Sequence, residues 1–180
     1  MNIFPTTSIN NFFKEPDKVV KFAKSLKYKK SETGSYPGER TKNLAEVDYT
    51  FFNTTILSIL SMYYEDFQNI GYSDTYLGFH KIKPYSKSLK DIKNKGWIHH
   101  DGVSLGGLIY LNKQSYPESG TTLYTPKKEP VKNESAIKTK LDFYKKNKIN
   151  LKQYKKEMAS LENKFTKTHT FNNIYNTLVA

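Results

Sequence analysis

The sequence predicts one domain of the α+β class, with short antiparallel strands between helical segments. Its 180 residues are enough for a single core and too few for two ordinary domains. Apolar residues recur at helical spacing within 1–70 and 133–165, whereas 71–126 and 168–180 hold short aromatic or β-branched runs between turn residues. Strands spaced in this way favour an antiparallel sheet, a barrel or a jelly roll.

Two helices are predicted in the N-terminal segment, after a short strand. The first begins near Pro16 and Asp17, because proline is tolerated in a first turn and an acidic side chain suits the positive helix end. The second spans 48–67, and a turn-rich loop around Pro37 and Gly38 lies between the two. Each has an apolar face that predicts a supporting role: Val19, Val20, Phe22, Ala23 and Leu26 in the first, and Phe52, Ile56, Ile59, Leu60 and Tyr63 in the second.

The C-terminal helical segment contains two apolar stripes that are out of phase with each other. The stripes are Ile137, Leu141 and Tyr144, then Leu151, Tyr154, Met158, Leu161 and Phe165. Residues 145–150 therefore predict a turn, and Asn150 with Gln153 fits a capping box at the start of the second helix. The pattern favours a lysine-rich helical hairpin packed on the sheet over a lid that covers an active site.

The composition excludes several kinds of site and leaves one alternative function open. The absence of cysteine excludes disulfides, thiolate nucleophiles and cysteine-type zinc sites. The net charge is +12, but Arg40 is the only arginine, and lysine lacks the planar fork that holds phosphate in two places. We therefore interpret the lysines as solvated faces and do not expect specific nucleic-acid binding. A basic β-barrel that binds polyanions or nucleic acid remains the alternative.

The sequence shows no signal peptide and no membrane span, since neither the N-terminus nor any later segment has the necessary apolar run. We therefore expect a cytoplasmic protein that does not insert into membranes.

Four strands are predicted in the central segment, over 76–85, 96–102, 106–112 and 120–126. The second of them is the sequence GWIHHDG, which holds two of the four histidines and the only tryptophan of the chain. If it is a strand, side chains two apart share a face. His99 and Asp101 would then lie on one face together with Trp97, and His100 on the other.

An imidazole and a carboxylate on one face are two of the three groups of a non-haem iron site. Two histidines and one carboxylate, with other coordination positions open, bind Fe(II) in oxygenases. A turn after Gly102 and the return strand 106–112 would form a hairpin beside this pair. Tyr110 is the polar residue of that return strand, so its hydroxyl is expected to reach into a cavity.

The segments WIHHDG, GGLIYLN and ESGTTLY together resemble the 2-oxoglutarate- and Fe(II)-dependent oxygenases of the prolyl-hydroxylase type. In those enzymes His-x-Asp precedes a Tyr-Leu-Asn strand and then a Gly-Thr or Gly-Gly strand. The N-terminal FFKEPDKVVKFAKSL and YPGERT resemble a phage and bacterial branch of that superfamily. The resemblance covers most of 10–125 and returns at 168–180. It implies a single domain, 1–180, with a jelly-roll (double-stranded β-helix) core, in which 133–165 is a helical insertion.

The resemblance also assigns roles to individual residues. It implies that His99 and Asp101 bind iron and that Tyr110 binds the distal carboxylate of 2-oxoglutarate, in a pocket that Leu123 and Thr121 line. Three further residues are candidate contacts of the substrate or of a loop. Arg40 would hold substrate or form a salt bridge in its loop, and Trp97 would share the ligand face. His80 would face the cavity, with a packed or solvent-facing histidine as the alternative.

The implied function is hydroxylation of a protein side chain, an amino acid or another small molecule. Fe(II) is the implied metal, and 2-oxoglutarate and O2 are the implied co-substrates.

The sequence departs from the family after the Gly-Thr strand. The family has a second iron-binding histidine on a late strand, followed by a basic residue that pairs with 2-oxoglutarate. After Asp101 the only histidine is His169, which lies too early in the family order, and no arginine follows Arg40. We expect the last core strands to be missing, as in a truncated sequence. An inactive or incomplete oxygenase fold is the other interpretation.

Overall fold

The computed structural model describes residues 6–31, 36–71, 74–82, 96–99, 105–114, 119–128, 133–144, 146 and 148–180, of which 133–136 and 144 are described by their backbone. These ranges form a mixed α+β structure with four helices and small antiparallel sheets. The helices are α1 (Pro16–Ser25), α2 (Tyr49–Leu60), α3 (Asn133–Tyr144) and α4 (Leu151–Glu162). The strands are β1 (Ser8–Asn10), β2 (Lys29–Lys30), β3 (Glu39–Arg40), β4 (His80–Lys81), β5 (Leu108–Tyr110), β6 (Gly120–Pro126), β7 (Phe165–Asn172) and β8 (Thr177–Val179).

These strands form three sheets. The first has the order β1-β8-β5, the second β2-β3-β4, and the third is the ribbon of β6 and β7; all pairs are antiparallel. Strand β8 lies in the centre of its sheet and is buried, with Thr177 and Leu178 each 1% exposed. The described strands do not close into a barrel.

The N-terminal helices confirm the predicted supporting role. Asp48 caps α2 by accepting a hydrogen bond from the Phe51 amide at 2.9 Å. One face of α2 packs with Leu44 into the main apolar cluster, whose buried members are Leu44, Phe52, Ile56 and Leu60. The predicted second helix is too long at its C-terminal end, because α2 ends at Leu60 and Tyr63 lies beyond it in a turn.

The predicted helical hairpin is confirmed, with two corrections. Asn150 caps α4 by accepting a hydrogen bond from the Gln153 amide at 2.9 Å, while the Gln153 side chain bonds Glu157 and does not complete a capping box. The second apolar stripe does not continue to Phe165, since α4 ends at Glu162 and Phe165 pairs with Pro126 in the ribbon. Tyr154 and Met158 are the buried apolar residues of α4.

The strand predictions have mixed outcomes. The strand predicted over 120–126 is confirmed, and the one over 106–112 is shorter, at Leu108–Tyr110. Residues 168–180 contain the end of β7, a turn and β8. In the described part of 76–85, only His80 and Lys81 are in a strand. Residues 96–99 form no strand, which corrects the prediction for GWIHHDG as far as the structure describes it.

None of the helices in the described ranges is both long and apolar enough to cross a lipid bilayer.

Candidate functional site

His99 and Trp97 lie side by side although their segment is not a strand. Their rings stack with centroids 4.7 Å apart and planes 28° apart, as expected for side chains two residues apart on one face of an extended chain. His99 Nδ1 lies 2.8 Å from the Trp97 carbonyl oxygen. A carbonyl can only accept, so Nδ1 carries the proton and a neutral imidazole keeps its lone pair on Nε2.

A hydrogen bond of this kind commonly orients histidines that are bound to metals. Such histidines commonly donate their other ring N–H to a backbone carbonyl, which fixes the ring and the nitrogen that coordinates. His99 is exposed at the surface of the described chain. The donor type and the tautomer of His99 therefore fit an iron ligand.

The second predicted ligand, Asp101, and the neighbouring His100 lie outside the described residues. Pairing of His99 with Asp101 remains a prediction. Among the described residues, no three histidine, aspartate or glutamate side chains come together in a way that could hold a metal ion.

Tyr110 and Thr121, which the resemblance assigned to one pocket, are in contact through their hydroxyls. Tyr110 ends β5, Thr121 lies near the start of β6, and their hydroxyl oxygens are 2.6 Å apart. Both side chains are half-buried, and burial raises the pKa of the Tyr110 hydroxyl, with the hydrogen bond to Thr121 acting in the opposite direction. Leu123 is also half-buried and lies two residues along β6, on the face of Thr121 because a bulge comes only after Leu123.

Arg40 and His80 belong to a packed cluster on the second sheet. They face each other across β3 and β4. The Arg40 guanidinium lies 4.1 Å from the centre of the Tyr36 ring, and the His80 ring meets the same ring edge-on at 5.5 Å. Within the described ranges Arg40 forms no ion pair, so a cation–π contact holds the loop where a salt bridge was one prediction.

His80 is held by the loop that precedes β3. Its Nε2 donates to the carbonyl of Pro37, and burial lowers the pKa of the imidazole. The next residue of that loop, Gly38, has φ of +73°, and a Cβ there would come within 2.2 Å of the Lys81 carbonyl oxygen. These contacts favour the packed histidine over a histidine that faces a cavity.

Lys140 is a candidate site residue that the sequence prediction missed. Its side chain is 3% exposed, and its ammonium lies 4.7 Å from the centre of the Trp97 ring. Burial lowers the pKa of Lys140 from 10.5 to about 8. A signal for this position was present in the sequence, because Lys140 falls three residues after Ile137 and four before Tyr144, within the apolar stripe of α3.

His99, Trp97 and Lys140 therefore form one group, while Tyr110 and Thr121 form another on β5 and β6. The first group offers an imidazole, an aromatic face and a buried cation, and the second offers two hydroxyls. Comparison of the chain with protein-family models, with curated proteins and with solved structures finds no match.

Proposed function

We propose that this chain is a 2-oxoglutarate- and Fe(II)-dependent dioxygenase of the prolyl-hydroxylase type, with a jelly-roll core. Its substrate would be a protein side chain, an amino acid or another small molecule. The observation that carries the proposal is the 2.6 Å contact between the hydroxyls of Tyr110 and Thr121. The family resemblance assigns both residues to one 2-oxoglutarate pocket, and they come from different strands.

The chemistry of this pair suits a carboxylate ligand. Two hydroxyls that share one hydrogen bond still have one proton to donate outward. Because both groups are half-buried, that donation takes place with less competition from water. Leu123 on the same face would give the pocket an apolar wall.

The order of strand pairing also supports the proposed core. Strand β5 pairs with β8, and the ribbon of β6 and β7 lies between them in sequence, so the pairs are nested. Nested antiparallel pairs arise when one long hairpin is folded over on itself, which is how a jelly roll is built.

The iron site would be held by His99 and Asp101. The bond from His99 Nδ1 to the Trp97 carbonyl leaves Nε2 as the coordinating nitrogen. When bound, Fe(II) with 2-oxoglutarate and O2 supplies the oxidising chemistry of hydroxylation, and the protein supplies orientation and the exclusion of water. The role of Trp97 would be to fix the imidazole by its carbonyl and by stacking.

The proposal is tested by anaerobic titration with Fe(II) and 2-oxoglutarate, following the weak visible absorption band of the complex. We expect the band in the wild-type protein and its loss in His99→Ala and in Asp101→Ala. The variant His100→Ala is the matched control, because the neighbouring imidazole is assigned no role in the iron site. A wild-type protein without the band, or a band that His99→Ala leaves intact, would contradict the proposal.

The tip of the β6–β7 ribbon favours a second candidate function, the binding of polyanions. Lys127, Lys128, Lys164 and Lys167 are all exposed there, and the Lys127 amide donates to the Lys164 carbonyl at 2.9 Å. Among the described residues none of these four lysines forms an ion pair.

This candidate is tested by binding to duplex DNA at increasing salt. The log of the affinity should fall with the log of the salt concentration, with a slope of about 0.9 per phosphate contact. The double variant Lys127→Gln/Lys164→Gln should reduce that slope, whereas Lys21→Gln/Lys24→Gln on α1 should not. Equal slopes for the two variants would remove the ribbon tip as the binding site.

A further inference from the structure

The buried side chain of Lys140 is not explained by packing. Its exposed fraction is 3%, whereas Lys138, on the same helix, is exposed. Removing an ammonium group from water costs free energy unless an anion or hydrogen-bond acceptors replace the water. An apolar residue at this position would avoid that cost.

Two described carboxylates of the packed helices are engaged elsewhere. Asp142 pairs with Lys146 at 3.9 Å, and Glu157 accepts hydrogen bonds from Thr139 and Gln153, each at 3.0 Å. In the portion of the chain that the structure describes, the Lys140 ammonium has no hydrogen-bond or ion-pair partner and lies over Trp97.

The indole of Trp97 places this ammonium near the candidate iron ligand. It is 4.7 Å from the Lys140 ammonium and 4.7 Å from the centre of the His99 ring. A cation–π contact compensates only part of the desolvation of an ammonium, and it leaves the N–H donors able to bond an anion. Since these donors bond no described group, an anion beside Trp97 would complete their hydrogen bonding.

We propose that Lys140 and Trp97 form a binding site for a small organic carboxylate. The carboxylate satisfies the ammonium donors, and the indole packs against the apolar part of the ligand. The carboxylate belongs either to 2-oxoglutarate or to the substrate, and both share this chemistry. The inference goes beyond the proposed function because the site needs no iron, and it is tested without metal.

The sole tryptophan of the chain reports on this site directly. Trp97 fluorescence is measured on the full chain with EDTA present, during titration with 2-oxoglutarate and, separately, with N-acetylproline as a monocarboxylate. N-acetylproline amide is the uncharged control ligand. We expect a saturable change with at least one carboxylate and none with the amide. A response to 2-oxoglutarate alone assigns the co-substrate, and a response to N-acetylproline assigns a carboxylate on the substrate.

Substitution separates the proposed site from surface charge. We expect at least a tenfold higher Kd in Lys140→Gln and an unchanged Kd in Lys138→Gln, its exposed neighbour. Lys140→Met is measured in parallel, with circular dichroism on each variant, so that loss of folding is recognised. The proposal is overturned if neither carboxylate gives a saturable change, or if both Lys140 variants bind as the wild type does. Either result leaves the iron titration unaffected, since that experiment follows a different signal.

Discussion

Helices α2 and α3 are both 12 residues long, but they bury opposite kinds of side chain. On α2 the buried residues include Phe52, Ile56 and Leu60, which join the main apolar cluster. Among the α3 side chains that the structure describes (137–143), the buried ones are Thr139 and Lys140, while Ile137 is 44% exposed. One helix follows the ordinary rule for a packed face and the other departs from it.

The difference separates a helix that stabilises the fold from one that carries a binding group. Sequences depart from apolar packing mainly at functional sites, where stability is lower than the fold could provide. The polar contacts of α3 are consistent with this division, because Thr139 bonds Glu157 on α4 and Lys140 contacts Trp97. Four predictions test how far the comparison holds.

The largest effect is expected on α2. Phe52 is 4% exposed, so Phe52→Ala leaves a cavity in the main cluster and should lower the free energy of unfolding by about 3–5 kcal/mol. Ile137→Ala, the apolar truncation on α3, should cost about 0.5 kcal/mol or less because that side chain is exposed. Urea unfolding of both variants measures the difference. Equal costs would show that α3 also supports a core.

Removal of the Lys140 charge should have the second-largest effect, and it should raise the free energy of unfolding. Burial lowers the pKa of Lys140 from 10.5 to about 8, which corresponds to about 3 kcal/mol at about 1.4 kcal/mol per unit. Lys140→Met keeps the apolar stem and should raise the free energy of unfolding by about 1–3 kcal/mol. Lys138→Met, the exposed control, should change it by less than about 0.5 kcal/mol. A destabilised Lys140→Met would mean that the ammonium makes a net favourable contact.

The stability gain of Lys140→Met should shrink as the pH rises. Between pH 8 and 10.5 the unfolded chain keeps a proton on Lys140 that the folded chain has lost, so wild-type stability increases with pH there. Unfolding at pH 7 and pH 9.5 should show the two proteins closer by about 1–2 kcal/mol at the higher pH. Above pH 10 the free energy of unfolding falls with pH in both proteins, because burial raises the pKa of Tyr28, Tyr76 and Tyr110. A constant difference between the two proteins would contradict the assigned pKa of Lys140.

Features set by a few neighbouring residues were predicted well from the sequence. The start of α1 at Pro16, the Asn150 cap and the strand Gly120–Pro126 depend on local preferences, and all three are confirmed. The burial of β8 was not predicted, because its central position depends on pairing with β1 and β5, which lie 60 or more residues away in the chain.

The candidate site shows the same division. The family resemblance assigned Tyr110 and Thr121 to one pocket, and their hydroxyls are in contact although β5 and β6 belong to different sheets. A strand at 96–99 was expected from aromatic and β-branched residues, but such residues favour a strand only beside a partner, and no described strand pairs with this segment. Lys140 was missed because a lysine was counted as solvated whatever its position on the stripe.

The smallest effect is expected at the caps, where α2 and the hairpin are alike. Asp48 and Asn150 each accept a hydrogen bond from a backbone amide three residues later, at 2.9 Å in both cases. Asp48→Ala and Asn150→Ala should therefore each lower the free energy of unfolding by about 1 kcal/mol. Gln153→Ala is the control, since Gln153 supplies the α4 amide while its side chain bonds only Glu157.

If the two cap substitutions lower the free energy of unfolding equally, then α2 and the hairpin differ only in the side chains that they bury. Helix formation would then depend on the same local signal in both, and only the buried residues of α3 would be committed to a ligand. A cap at Asn150 that costs nothing would instead show that α4 does not unfold with the rest of the chain.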